Sequence, residues 1–340
     1  MEYRKIMALG KSSRVVSLPI DWLKSYNLEK GDTLQIIRQR NGSIVIHPVA
    51  KTDDEVKKIT LSIKADESED SVVRRLIGAF LNGYTLITLT SEKIFTGEQQ
   101  AAIRAASRRL YMMVIKSEAA SIELETLIDE SKASVTSCIE RMHMITYSLF
   151  RDTIQAMREW DRELVISAIS LEEDIDQLAY LVLRIIRSAS INYHLANQLN
   201  LDPLDSLDYQ TLVHRIERVA DHITSMAECL KIMIENDERL PAEAQRILVE
   251  AADIALSSYG KAVECYLYMD VEPTNGIIDQ QSEIEKLYSK ITPLPRYGEI
   301  EDSQVLTHII NLRENILIVS NLAADIAELT IDRAYKSEGI

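Results

Sequence analysis

The chain has 340 residues, of which 46% are hydrophobic and 27% charged, and its formal net charge is -15. This length exceeds one ordinary hydrophobic core, so we expect about two or three domains. The opening segment MEYRKIMALG is charged, and no later segment approaches the roughly 18 apolar residues of a membrane span, so the sequence predicts a cytoplasmic protein without a signal peptide or membrane insertion.

The charge is unevenly distributed along the chain. Residues 1–50 contain eight Lys and Arg against four Asp and Glu, which leaves a charge of -19 on the remainder. This asymmetry indicates a basic module joined to an acidic body. The cysteines, which lie far apart and lack metal-ligand spacing, are expected to be reduced thiols: Cys138, Cys229 and Cys265.

The first 50 residues have the pattern of a small β module. The segment RKIMALGKSSRVVSLP contains two β-rich stretches around a turn-forming cluster at 10–13. Pro19 is suited to open a short helix, and Asn41-Gly42 between two further β-rich stretches predicts a hairpin. The predicted order is therefore two strands, a short helix and two strands.

Gly10, the VSLP ending at Pro19, Gly31-Asp32 and the SIVIHP segment closely resemble the AbrB/SpoVT-type swapped-hairpin DNA-binding domain. The resemblance implies a homodimer, in which two chains form one interlocked β barrel and the first hairpin contacts DNA. The residues it places on DNA are Arg4, Lys5, Lys11 and Arg14. The alternative is that these cations only solubilise a dimerisation module.

Residues 51–128 alternate strand and helix patterns, which predicts a small α/β domain with helices on one face of a sheet. Its segments lack a glycine-rich phosphate-binding loop, so nucleotide binding has no support. We expect a structural or dimer-supporting role.

From residue 129 onward the pattern is helical and long, which favours elongated bundles. The predicted domains are 129–238 and 239–340, a pair of three-helix bundles, so the expected fold class is multidomain α+β. The six predicted helices lie near 130–159, 161–199, 204–235, 241–270, 273–291 and 300–335.

Two of these helices carry carboxylates four residues apart on the flank of an apolar seam. Glu172 and Asp176 lie in ISLEEDIDQLAYLVLRII, and Glu217 and Asp221 lie in RIERVADHITSMAE. Such pairs are common on solvated faces of acidic proteins. If the two helices are antiparallel neighbours, however, the four side chains converge and require a cation to neutralise them.

The segments LEEDIDQLAYLVLR and IERVADHITSMAE strongly resemble the PhoU-type phosphate-uptake regulators, over residues 129–335. This family has two three-helix bundles with an E/D-x-x-x-D motif on two helices of each, and some members bind iron or zinc there. The resemblance implies a metal site at Glu172, Asp176, Glu217 and Asp221. With the N-terminal module, the domain order resembles prokaryotic, largely archaeal, PhoU-related regulators fused to an AbrB-type domain.

The second bundle departs from this motif. The aligned positions are Gln281, Glu285, Leu317 and Asn321, so three of four carboxylates are missing. We therefore expect metal at the first bundle alone, and an ordinary helix surface at Asp279, Glu283 and Glu285.

No nucleophile–base arrangement, phosphate-binding loop or zinc-hydrolase motif is found, so we expect no enzyme and assign no catalytic residue. The leading hypothesis is a dimeric, DNA-binding regulator of phosphate uptake whose acidic body responds to a phosphate transporter, a sensor protein or a metal. The alternative is a protein–protein adaptor whose AbrB-like module serves only for dimerisation. A metal-dependent hydrolase is the third hypothesis.

Overall fold

The computed structural model describes residues 3–11, 13–38, 42–48, 57–291 and 303–336. The chain divides into two compact units, Met1–Val56 with Ser337–Ile340, and Lys57–Lys336. Each unit is described by itself.

The first unit consists of two hairpins and a short helix. Its elements are β1 (Met7–Leu9), β2 (Ser13–Val15), α1 (Ile20–Ser25), β3 (Leu34–Arg38) and β4 (Ile44–Pro48). Each hairpin is a separate antiparallel two-stranded sheet. Gly10 adopts a φ of +72° in the first turn, a value that suits glycine, and Pro19 precedes α1. The predicted order is confirmed, although Asn41 of the second predicted turn lies outside the described residues.

The first unit has no buried side chain among its described residues. Apolar side chains of its strands and their flanks are exposed instead: Ile6, Met7, Leu9, Val16, Ile20, Ile36 and Ile44. An isolated two-stranded hairpin is at best marginally stable in water. The described part of this unit therefore lacks a hydrophobic core of its own.

The second unit begins with a four-stranded mixed sheet and two helices. These are β5 (Lys58–Ile63), α2 (Glu69–Leu81), β6 (Leu86–Ser91), α3 (Gly97–Arg109), β7 (Met112–Glu118) and β8 (Ser121–Thr126). The strand order is β5-β6-β8-β7, with β5 and β6 parallel and the other pairs antiparallel. The predicted α/β pattern is confirmed, and we call this region, 57–126, the α/β layer.

One face of the sheet is apolar because alternate residues of its strands share that face. Ile87 and Leu89 of β6 lie in one buried cluster with Phe80 of α2 and Ile103 of α3. Both helices begin at side-chain caps; at α3, Thr96 and Gln99 form a reciprocal capping box.

The remainder of the second unit is helical, after a 3-10 turn at Glu130–Lys132. Its helices are α4 (Val135–Glu159), α5 (Arg162–Ile169), α6 (Glu172–Ile191), α7 (Tyr193–Gln198), α8 (Pro203–Glu235), α9 (Ala242–Tyr268), α10 (Thr274–Asp279), α11 (Gln281–Ile291) and α12 (Ser303–Ala334). The C-terminal helical architecture is confirmed. Within the described ranges, no helix combines the length and hydropathy needed to cross a bilayer.

Two of the long predicted helices are interrupted. The predicted helix 161–199 consists of α5, α6 and α7, because the chain turns at Ser170 and Leu171 and again at Asn192. The extended Asn192 accepts hydrogen bonds from the backbone N–H groups of His194 and Leu195, so it caps α7 instead of continuing α6. The predicted helix 273–291 is likewise divided into α10 and α11.

One apolar cluster extends through the helices of both predicted bundles. It includes Ile216 and Ile223 of α8, Tyr259 of α9 and Ile316 of α12. The α/β layer has its separate cluster. The predicted boundary between the bundles at residue 238 stays a prediction, as do the other domain limits.

Candidate functional site

The four carboxylates predicted from the sequence lie on α6 and α8, which pack against each other. Glu172 is the first residue of α6 and Asp176 follows one turn later, while Glu217 and Asp221 are one turn apart on α8. Asp221 is exposed and the other three are partly buried. We call these four residues the carboxylate cluster.

The pKa of Asp176 shows that the carboxylates act on one another. The pKa of Asp176 is raised to about 6, mainly by burial and then by the charge of Glu172; Arg109 lowers it, and Glu217 and Asp221 raise it by smaller amounts. Every member of the cluster therefore lies within electrostatic range of Asp176.

The ionisation of Glu172 and Asp221 is shifted as well. Burial raises the pKa of Glu172, and the charges of Asp221 and then Glu228 add to the effect. Although the Asp221 residue is exposed, neighbouring atoms remove part of the water around its carboxylate, which raises its pKa against the charges of His222 and Arg218. The structure thus brings the predicted side chains together, and their mutual repulsion disfavours full ionisation.

Two cationic or polar groups touch the cluster. Arg109, the last residue of α3, places Nη1 3.5 Å from Asp176 Oδ2. His214 Nδ1 lies 3.2 Å from Glu217 Oε2, one turn away on α8. Sequence analysis missed Arg109, because nothing in the spacing of the α/β layer indicates that it reaches α6.

The predicted iron or zinc site is only partly matched by the geometry. Carboxylate oxygens are accepted ligands of both metals, so the donor chemistry is suitable. In the described ranges, however, no group of three or more His, Cys, Asp or Glu side chains is placed to hold a metal ion. As arranged, with Arg109 against Asp176, the cluster does not fit a metal, and the metal site stays a prediction.

The second bundle has a neutral contact at the corresponding place. Gln281 Nε2 donates to Asn321 Oδ1 across 3.2 Å, which joins the residues aligned with Glu172 and Asp221. Glu285, the one remaining carboxylate of the motif, is exposed. Asp279 and Glu283 are also exposed, in agreement with an ordinary helix surface.

A second polar cluster, absent from the sequence analysis, links α8 to α12. Cys229 Sγ lies 3.2 Å from His308 Nδ1, and His308 Nε2 lies 3.3 Å from Glu238 Oε2. The order thiol–imidazole–carboxylate resembles that of a nucleophilic site. Burial, however, raises the pKa of the Cys229 thiol to about 12, so the reactive thiolate form is disfavoured. Because Cys229 and His308 are 79 positions apart in the sequence, no local spacing signals this pair.

The four predicted DNA-binding residues lie on or beside the first hairpin, and all are exposed. Lys11 is in the turn, and Arg14 lies opposite Ala8 in the β1–β2 register. Arg4 Nη1 donates to Ser17 Oγ at 3.2 Å, beside Lys5. One small hairpin therefore presents four cationic side chains, a suitable arrangement for contacts with phosphates.

Comparisons with known proteins agree with both resemblances. Residues 139–230 match the PhoU domain family, and residues 8–54 match the family described as antidote-toxin recognition MazE, bacterial antitoxin. No curated protein gives a significant sequence match to the chain.

Among solved structures, the chain matches the crystal structure of PhoU from Pseudomonas aeruginosa with a TM-score of 0.50 and 14% identity. The match covers 58% of this chain and 93% of that PhoU chain, and at this identity it shows the fold alone. The chain is therefore similar to PhoU in its helical part and to the MazE/AbrB-like antitoxins in its N-terminal hairpins.

Proposed function

We propose that the protein is a non-enzymatic regulator of phosphate uptake that pairs through its N-terminal hairpins and binds DNA with them. The similarity of the helical part to PhoU supports the link to phosphate uptake. The observation that carries the DNA-binding part is the concentration of four exposed cations on a hairpin of an otherwise acidic chain.

Pairing is supported by the lack of a buried side chain among the described residues of the first unit. Ile36 and Ile44 are 66% and 63% exposed, although both belong to strands. Burying one such side chain contributes about 1.5–3 kcal/mol, so covering several of them stabilises the module substantially. A second copy of the chain supplies a matching set of apolar strands, and the MazE similarity covers this region.

A dimer of this kind presents two copies of the cationic hairpin. DNA affinity then arises mainly from phosphate contacts, which position the protein, while base contacts give selectivity. The PhoU-like helices act on a protein partner in this proposal, a phosphate transporter or its sensor. They do not bind free phosphate, because the carboxylate cluster repels anions.

The test is a gel shift with DNA from upstream of the protein's own coding sequence. The variant Lys11→Ala/Arg14→Ala removes two cations from the hairpin, and Lys24→Ala/Lys30→Ala is the matched control because it removes two exposed cations elsewhere in the unit. We expect selective binding that the first variant loses and the control keeps.

Salt dependence gives a second measurement in the same experiment. If the hairpin cations each contact one phosphate, the first variant lowers the slope of log affinity against log salt by about 3 to 4 in the dimer. A wild-type protein that is dimeric but binds no DNA selectively would instead support the adaptor, in which the hairpins serve only for pairing.

A further inference from the structure

Arg109 belongs to the α/β layer but has its polar contacts on α6. Its Nη1 lies 3.5 Å from Asp176 Oδ2, and its charge also acts on the hydroxyl of Tyr180, whose pKa it lowers against the effect of burial. The Nε atom is buried and has no hydrogen-bond partner among the described residues. The guanidinium is thus directed at the carboxylate cluster from outside the helical bundle.

The contacts of α6 with the α/β layer repeat at helical spacing. Asp176, Tyr180 and Arg184 are four residues apart and therefore share one face of α6. Tyr180 packs against the apolar cluster of the layer, and Arg184 Nη1 donates to the carbonyls of Phe80 and Tyr84. This face of α6 is a docking surface for the α/β layer, and Asp176 lies at one end of it.

The backbone beside Arg109 strengthens the same end of the surface. Gln177 Nε2 donates to the carbonyl oxygen of Arg108 across 3.1 Å. The side chain of Arg108 is exposed, in contrast to that of Arg109. Two adjacent arginines of α3 therefore differ in their surroundings, which offers a matched comparison.

The second bundle has a different contact at the corresponding positions. Gln281 and Asn321 join each other by a neutral hydrogen bond, where the first bundle has Glu172 and Asp221. In the first bundle, where Arg109 lies nearby, the motif positions are carboxylates. In the second bundle, two amide side chains at the corresponding positions pair with each other.

We propose that Arg109 is the cation of the carboxylate cluster, so that an arginine of the α/β layer takes the place in which a metal ion was expected. Its guanidinium offsets the charge of Asp176 and ties α3 to α6. A divalent cation and Arg109 then compete for Asp176. Cation binding is weak in the wild type and becomes strong when Arg109 is removed.

The test compares the wild type with Arg109→Gln and with Arg108→Gln, which removes the same charge from the neighbouring exposed position. Binding of Mn²⁺ and Zn²⁺ is measured by equilibrium dialysis with elemental analysis. We expect Arg109→Gln to bind one of these ions at least about 5-fold more tightly than the other two proteins, the lower end of a typical coupling between sites.

Hydrogen exchange supplies a readout that does not depend on metal. Without added cation, Arg109→Gln is expected to exchange faster than Arg108→Gln in the peptides that contain 109–112 and 172–180. Added Glu172→Gln and Asp221→Asn substitutions should abolish the cation binding gained by Arg109→Gln, which places the ion at the cluster.

Equal cation affinity in the three proteins overturns the proposal, and so does the absence of binding in all of them. Arg109→Lys keeps the positive charge and is expected to bind the cation as weakly as the wild type; if it binds as tightly as Arg109→Gln, competition by charge is wrong. The proposal does not rest on DNA binding, which the gel shift decides separately.

Discussion

Arg184 and Glu130 form an ion pair, with Nε 2.6 Å from Oε1, at a position where the arginine side chain is 1% exposed. The pair joins α6 to the 3-10 turn that precedes α4. Arg184 also stacks over the ring of Phe80, 4.6 Å from its centroid. The Glu130 carboxylate therefore offsets its charge, and the Phe80 ring covers one face of the guanidinium.

Replacing Arg184 by Ala should strongly destabilise the second unit. The change leaves the Glu130 carboxylate without its partner and two carbonyl oxygens of the α/β layer without their donor. Removing one member of a buried pair typically costs about 3–5 kcal/mol. The free energy of unfolding in urea measures the loss.

Arg187→Ala is the control for this prediction. Arg187 lies on the same helix and donates to Asn82 Oδ1 at 2.9 Å, but its side chain is exposed. We expect a cost of at most about 1 kcal/mol. Equal losses in the two variants would show that the burial of Arg184 carries no special stabilisation.

His143 should make stability depend on pH. It lies between the rings of Tyr147 and Tyr259, with centroids 6.2 and 5.3 Å away, and burial lowers its pKa from 6.5 to about 4. The unfolded chain takes up a proton as the pH falls below 6.5, whereas the folded chain does so only near 4. The contribution of the neutral His143 ring to the free energy of unfolding is fully present above pH 6.5 and is lost as the pH falls toward 4.

The measurement is urea denaturation at pH 7 and pH 5. His143 is expected to lower the free energy of unfolding by about 2 kcal/mol between these values, and His143→Phe should remove that part of the pH dependence. His194→Gln, at an exposed position of α7, is the control and should leave it unchanged. A pH dependence that His143→Phe does not reduce contradicts the assignment.

Cys229 should be inert toward thiol reagents in the folded protein. Burial raises its thiol pKa to about 12, and the thiolate is the reactive form. Mass spectrometry after brief alkylation at pH 8 should find Cys138, which is only partly buried, modified before Cys229 and Cys265. Rapid alkylation of Cys229 that His308→Phe abolishes would instead show an activated thiol.

The exposed strands of the first unit should mediate self-association. Light scattering after size-exclusion chromatography is expected to give a dimer, and Ile36→Asp should shift it toward the monomer by placing a charge in the paired surface. Ile94→Asp, at a similarly exposed apolar residue of the second unit, should not. If Ile36→Asp remains a dimer and Ile94→Asp becomes a monomer, the interface lies in the second unit instead.

Local signals explain which elements the sequence predicts well. Pro203 opens α8 and Pro241 immediately precedes α9, so these two helices begin within one residue of the predicted limits. Gly83 lies two residues after the last residue of α2, and its φ of +81° is a conformation in which a glycine commonly terminates a helix. The break at Asn192 was missed because its side chain caps a six-residue helix inside a continuous apolar pattern.

Contacts between distant segments explain what the sequence could not provide. Glu172 and Asp176 were found from their spacing, but Arg109 is 67 residues from Asp176 and has no periodic relation to it. Arg184 was missed for the same reason, since a buried arginine and a solvent-facing one look alike in a helical pattern. Tertiary packing, and not local propensity, decides these positions.

The absence of a buried core among the described residues of the first unit has a consequence for gene dosage. A hairpin module that folds only against a second copy reaches its binding-competent form by a second-order reaction. In the DNA-binding dimer that we propose, occupancy of an operator at low abundance would therefore rise with the square of the chain concentration. A twofold change in expression would then alter occupancy about fourfold, a steeper than proportional response that needs no small-molecule effector.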